Sequence, residues 1–200
     1  MENDKNVLQF FACNDYFIDE KVAFLKFTNA YKVYNSDGVQ IGNIQQSMPA
    51  ALKFLSLIIN KAFFPLKLDI KDMDDNILVT IKRGWTLFMS KIQVLNAEGD
   101  TIAHIKQKFH FLKPTFNIFS TDETEMALIT GDWKAWNFSI NDSKQKQIGT
   151  ITKKWNGILK EAFTTADKYI VSINPDVEIT QKIPIIATAI TIDMVLKESK

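Results

Sequence analysis

Cysteine is almost missing: Cys13 is the one example in 200 residues, so no intrachain disulfide can form. Cohesion has to come from a buried core, and a reducing compartment suits the composition. There are 2 histidines, His104 and His110, and neither sits in a zinc-ligand spacing or a recognisable triad. The 7 glycines form no GxGxxG or P-loop arrangement, so no phosphate-cradling nucleotide loop is expected. Charge of one sign is lacking too: 24 Lys and Arg against 23 Asp and Glu leave a net charge of +1. That balance argues against the broad basic footprint of a nucleic-acid-binding protein. No apolar run reaches the ~18 residues of a membrane-spanning helix. The nearest, Ile183 to Leu196, is interrupted by Pro184, Thr188, Thr191 and Asp193. The opening MENDKNVLQFF carries Glu2 and Asp4 where a signal peptide would be positive, so a cytoplasmic protein without a signal peptide is expected. No linker or low-complexity tract divides residues 1–200, which read as one domain.

What is present is a repeat. In "GDWKAWNF", residues 131–138, Trp133 follows Ile129 by four positions and Met126 by seven. The same frame holds for Trp85 with Ile81 and Leu78, Phe109 with Ile105 and Ile102, and Trp155 with Ile151 and Ile148. These aromatics lie 24, 24 and 22 residues apart, and a weaker copy has Ile41, Ile44 and Met48. A period of this length marks one supersecondary unit used again. A turn signal precedes each copy: NSDG at 35–38, DMDDN at 72–76, NAEG at 96–99, STDE at 120–123 and NDSK at 141–144. The unit is therefore a β-hairpin. Two apolar residues three apart cannot share one face of a regular strand, so either both faces are covered or a bulge turns the strand. The slim residues between them, Gly42, Val79, Ala103, Ala127 and Gly149, permit a bulge. Trp133 and Trp155 are expected in the core.

Two segments read as helix. Residues 49–62 run from Pro49 and are closed by Pro65. Residues 183–198 are apolar almost all the way round and must be buried on every side. A series of hairpins needs its edges closed and its inner face filled. A mainly β fold, a closed barrel threaded by the terminal helix, meets both needs. Asp193 would then require a partner or a place near the barrel mouth.

The stretches IKRGWTLFMSKIQVLNAEGDTIAHIKQKFHFLKPTFNI, GDWKAWNFSI, ITKKWNG, FTTADKYIVSINP and AITIDMVLKES, in this order, resemble the phospholipid scramblase-like and LURP-one-related branch of the tubby C-terminal-like superfamily. The resemblance runs from about Tyr16 to Lys197. It implies a barrel of about twelve strands around a central C-terminal helix, and a function in binding or handling phospholipid at a membrane. It also implies calcium, bound just before the terminal helix. Here that stretch is NPDVEITQK, whose acids are Asp176 and Glu178 alone, fewer than the oxygen ligands a calcium loop needs. No cofactor and no metal site is therefore expected. DMDDN also lacks the glycine and glutamate of a calcium loop.

Basic residues recur beside the repeat aromatics: Lys82 and Arg83, Lys106 and Lys108, Lys153 and Lys154. On a barrel they could form a girdle that binds anionic phospholipid at the inner, cytoplasmic surface of a membrane, with Trp and Phe at headgroup level. The competing expectation is a solvated exterior on a protein- or ligand-binding scaffold without lipid activity. No covalent catalysis is expected, and Cys13 reads as a partly buried free thiol.

Overall fold

The structure, a computed structural model, describes residues 2–21, 30–47, 64–85, 91–108, 113–132, 134–153 and 168–198. The helix expected over 49–62 lies outside these residues, as do Met48, Phe109, His110, Trp133, Lys154 and Trp155. Helix α1 (Glu2–Phe11) is followed by β1 (Asp15–Lys21), β2 (Ala30–Tyr34), β3 (Gln40–Gln46), β4 (Leu66–Lys71), β5 (Ile77–Arg83) and β6 (Lys91–Leu95). Then come β7 (Thr101–Lys108), β8 (Thr115–Phe119), β9 (Glu125–Asp132), β10 (Asn137–Asp142), β11 (Gln147–Thr152), β12 (Lys168–Ile173) and helix α2 (Ile179–Glu198). Each strand pairs antiparallel with its sequence neighbours, and β12 pairs with β1, so the twelve strands close into a barrel with no free edge.

Five hairpins, β2–β3, β4–β5, β6–β7, β8–β9 and β10–β11, follow one plan. Each turn opens on Asn35, Asp72, Asn96, Ser120 or Asp142, whose N–H donates to the carbonyl four residues on at 2.9–3.1 Å. The Oδ1 of Asn35, Asp72, Asn96 and Asp142 accepts the returning N–H of that same residue. The fourth residue of every turn is left-handed: Gly38, Asp75, Gly99, Glu123 and Gln145 have φ between 64° and 93°. This is the geometry of short hairpin loops closed by a left-handed residue. The last turn starts at Asp142, one residue later than NDSK suggested.

The same plan explains the paired apolar residues. Val33 pairs with Gly42 and Tyr34 with Gln40, so Ile41 is an extra, unmatched residue. Leu78, Ile102, Met126 and Ile148 are skipped in the same way. Each is a β-bulge, and the bulge moves both members of an i, i+3 pair toward the core. The slim residue that follows meets another backbone. A Cβ on Gly42 would stand 2.2 Å from the Lys71 carbonyl oxygen and 2.8 Å from the Phe10 ring, and one on Gly149 would stand 2.4 Å from the Ser172 carbonyl oxygen. The bulges also expose carbonyls to new partners: Gln181 Nε2 donates to Met126 O at 2.7 Å and the Asn174 N–H to Ile148 O at 2.8 Å.

Helix α2 threads the barrel. Every residue from Lys182 to Val195 is buried, as an element apolar on all sides requires. It starts at Ile179, four residues before the expected boundary, because the Glu178 carbonyl already accepts from Gln181 and Lys182. Pro184 thus sits in the second turn, where it leaves the carbonyl of the exposed Thr180 to water. Lys182 is 4% exposed and donates to Asn14 Oδ1 at 2.8 Å and Cys13 O at 3.3 Å. Asp193, 1% exposed, accepts from the Tyr31 hydroxyl at 2.9 Å, which supplies the partner a buried carboxylate demands.

The topology gives the barrel two unlike ends. The five short turns, the β12–α2 connection and α1 share one, the hairpin-turn end. The strand ends that lead into 22–29, 48–63, 86–90, 109–112, 133 and 154–167 share the other, the rim. Helix α1 was not announced by the sequence pattern. It buries Phe10 and Phe11, and Asn6 Nδ2 donates to Asp72 Oδ2 at 2.9 Å.

Candidate functional site at the rim

Strand pleat decides where each basic residue points. Leu66, Leu68, Ile70, Val79 and Ile81 face inward and pair across β4–β5 in that register. Lys82 must therefore face out, and it is exposed, directly opposite Lys67. Arg83 faces in: it is 4% exposed, lies between Leu66 and Ile92, and its Nη2 donates to the Phe64 carbonyl at 3.1 Å. Lys108 is exposed at the rim end of β7. Lys106 lies on the outer wall opposite Lys91. Lys153, just past β11, is half-buried, and Lys154 lies outside the described residues. The structure thus brings no single ring together from these positions.

Like charges opposite each other on a sheet repel. Both lysine pairs carry an acid that relieves this. Lys67 Nζ is 3.2 Å from Asp69 Oδ2, and Asp69 is fixed by the Thr80 hydroxyl at 2.7 Å. Glu123 accepts from Lys91 at 3.0 Å and from Lys106, whose Nζ also lies 4.4 Å from the Phe119 ring centroid. The hydrogen bond from Lys106, then that from Lys91, holds the Glu123 carboxyl at about 2 instead of the ordinary 4.5. Its folded pKa lies below its unfolded one, so whatever the bridge contributes is complete above pH 4.5 and is lost as the pH falls through about 2. Carboxyl-resonance titration by NMR should find Glu123 near 2, and Lys91→Ala with Lys106→Ala should return it toward 4.5. A Glu123 titrating near 4.5 in the parent would remove the bridge.

Two tryptophans mark the rim. Trp85 is 64% exposed and its ring centroid lies 5.5 Å from that of Phe64, so this repeat aromatic is on the surface. Arg83 anchors the same corner through Phe64 O. Trp136 holds φ at +50°, a left-handed conformation that bulky residues rarely adopt. The preceding turn is tied by Asp132 Oδ1, which accepts from the N–H of Lys134 at 2.8 Å and of Ala135 at 3.2 Å. The Trp136 ring packs 5.3 Å from Tyr169 and 6.0 Å from Phe138, and Lys153 Nζ lies 4.5 Å from its centroid. Asp75, Glu123 and Gln145 hold a similar φ where they close their turns, so at Trp136 too the turn geometry sets the backbone.

The other candidates carry less. Burial, above all, pushes the Cys13 thiol up against the opposing pull of Lys182, so it is a poor nucleophile. Burial and then Lys91 push His104 down, so it is neutral near pH 7. Among the described residues no three His, Cys, Asp or Glu side chains converge as metal ligands. The stretch before α2 supplies few calcium ligands: its acids are Asp176, 3.6 Å from Lys146 Nζ, and Glu178, and among the described residues no third acid, His or Cys joins them. No helix of the described residues is long and apolar enough to cross a membrane.

Comparison with known proteins agrees with this barrel. An X-ray structure of a protein from Arabidopsis thaliana is similar in fold, with a TM-score of 0.55 over 97% of this chain and 98% of that one at 10% identity. The chain is 21% identical over 174 residues to altered inheritance rate of mitochondria protein 25 of Saccharomyces cerevisiae, covering 74% of this chain and 53% of that protein. It is 28% identical over 118 residues to human phospholipid scramblase 1, covering 56% and 37%. It is 22% identical over 186 residues to human phospholipid scramblase family member 5, covering 86% and 67%. The chain thus spans about half the length of the yeast protein and less of scramblase 1. The family model described as Scramblase matches residues 13–199, which hold all twelve strands and the whole of α2, and on that match the chain belongs to the Scramblase family.

Proposed function

We propose that the protein binds anionic phospholipid headgroups at the cytoplasmic surface of a membrane through the rim, and handles phospholipid there without covalent chemistry. The observation that carries this reading is the joining of tryptophan to lysine at one end of the barrel. Lys153 covers the Trp136 ring at 4.5 Å, and Trp85, 64% exposed, stands next along the chain to the Lys82 corner. Tryptophan favours the headgroup layer, where its ring is half wet. Lysine meets phosphate there, and each contributes about 1 kcal/mol near an anionic surface. The names of the human relatives, phospholipid scramblases, favour the same ligand class.

The direct headgroup contacts we assign are Lys82, Lys108 and Lys153, with Lys67, Lys113 and Lys134 at the same end and Lys154 beside them in sequence. Lys106 acts from the wall when its bridge to Glu123 opens. Arg83 is a positioning residue, holding the Phe64–Trp85 corner from inside.

Co-sedimentation with neutral and anionic liposomes at low and high salt tests the reading. Binding should require anionic lipid and weaken with salt. Lys82→Glu with Lys153→Glu, combined with Trp85→Ala, should lower it by about tenfold or more, as the loss of two ~1 kcal/mol contacts predicts. Arg83 is left intact because reversing a buried charge would threaten the fold. A folded parent that ignores both liposomes, or binds them equally, would end the proposal. A lipid-flip assay with and without calcium then separates binding from transport.

A further inference from the structure

The hairpin-turn end is the chemical opposite of the rim. Four of the five large apolar side chains exposed among the described residues are there: Leu8 at 53%, Val39 at 58%, Met73 at 54% and Ile77 at 37%. Around them stand exposed acids, among them Asp4, Asp37, Asp74, Asp75 and Glu98, of which Asp75 lies 3.7 Å from Lys71 Nζ, and they outnumber the exposed cations described at this end, Lys5, Lys144 and Lys146. Helix α1 runs between two clefts. One, of about 340 Å³, has Asn6 and Gln9 of α1 on one side and Val39, Met73, Asp72 and Asp74 on the other. The second, of about 310 Å³, is walled by Val7, Leu8, Ile102 and Ile183, with Asp4 and Glu98 also lining it. Among the described residues no Lys or Arg lines either cleft. Desolvation pushes the Asp72 carboxyl up, but hydrogen bonds from Asn76, the Asp74 N–H and Asn6 outweigh it and hold the group ionised. Helix α1, one wall of both clefts, precedes the residues matched by the family.

Exposed leucine, valine and methionine inside an acidic ring form a surface with one complementary class of partner. An anionic membrane or a fatty carboxylate is repelled by the ring. A helix with an apolar stripe flanked by lysine or arginine satisfies both halves, because it lays the stripe in a groove and turns its cations to the acids. We infer that the hairpin-turn end docks a basic amphipathic helix of a partner protein, its apolar stripe against Leu8, Val39 and Met73 and its cations against Asp4, Asp74 and Glu98. The two ends then act separately. The docking end needs no lipid, and the rim needs no partner helix.

The test is a fluorescence-anisotropy titration of the full chain with a labelled leucine–lysine amphipathic peptide. A scrambled peptide of the same composition and a leucine–glutamate peptide serve as controls. Saturable, salt-sensitive binding is expected for the first peptide alone. Asp74→Asn with Glu98→Gln, and separately Met73→Lys, should each weaken it about tenfold. Asp72 is spared because it organises its turn. Asp132→Asn and the pair Lys82→Glu and Lys153→Glu, all at the rim, should leave it unchanged, so failure of the lipid reading stays distinct from failure of this one. Thermal melts establish that every variant is folded. No saturable binding, equal binding of the scrambled peptide, or loss through the rim variants in place of the cleft variants would each overturn the inference.

Discussion

Gly42→Ala is expected to lower the unfolding free energy by about 3 kcal/mol or more, at the upper end of what overpacking costs. The reason is rigid geometry. The new Cβ would meet the Lys71 carbonyl oxygen at 2.2 Å, and that oxygen belongs to the neighbouring strand. Its second contact, the Phe10 ring at 2.8 Å, is part of α1. Relief therefore requires β4 to separate from β3 or α1 to lift from the turn end, and the barrel has no free edge through which to relax. Gly84→Ala is the control, because its Cβ would meet nothing within 4 Å, and it should stay within about 0.5 kcal/mol of the parent. Urea denaturation of both variants measures the difference. Equal midpoints for the two would mean that the β-bulge at Ile41 does not hold the strands as close as described.

Ile190→Ala should cost about 2–5 kcal/mol, with Ile190→Val near 1. Ile190 is fully buried at 0% exposure in the middle of α2, and its neighbours come from a closed wall that collapses poorly onto a cavity. The cost therefore belongs toward the upper part of that range. Ile77→Ala, at a position 37% exposed, supplies the comparison and should fall well below it. The same denaturation experiment reads all three. An Ile190→Ala variant as stable as Ile77→Ala would show that α2 is not the core of the barrel.

The candidate site was less legible than the fold, and the reason is parity. Lys82 and Arg83 are adjacent, and on a strand adjacent side chains take opposite faces. One of the two had to be inside, and only the pairing of Ile81 with Leu68 and Val94 says which. The five bulges make parity harder to carry along the chain, because each unmatched residue shifts the register by one. Trp85 shows the same limit. It occupies the repeat frame, yet its strand has ended at Arg83 and the ring lies outside against Phe64. The acidic character of the hairpin-turn end, by contrast, was written in the turn signals, since Asp and Asn are there to bind the returning backbone. What was missing was the knowledge that all five turns share one end.

By itself the sequence determined that there are hairpins at a 22–24-residue period, where they turn, and that the terminal helix is inside, while it left open whether each return strand is bulged or covered on both faces. These are local or compositional properties: turn chemistry, side-chain volume and a helix with no polar face. Tertiary structure alone decided which lysines reach solvent, that Arg83 does not, that Asp193 meets Tyr31 across 162 residues, and that α1 closes the turn end. Those depend on register and closure, where one residue of slip exchanges the inside of a barrel for the outside.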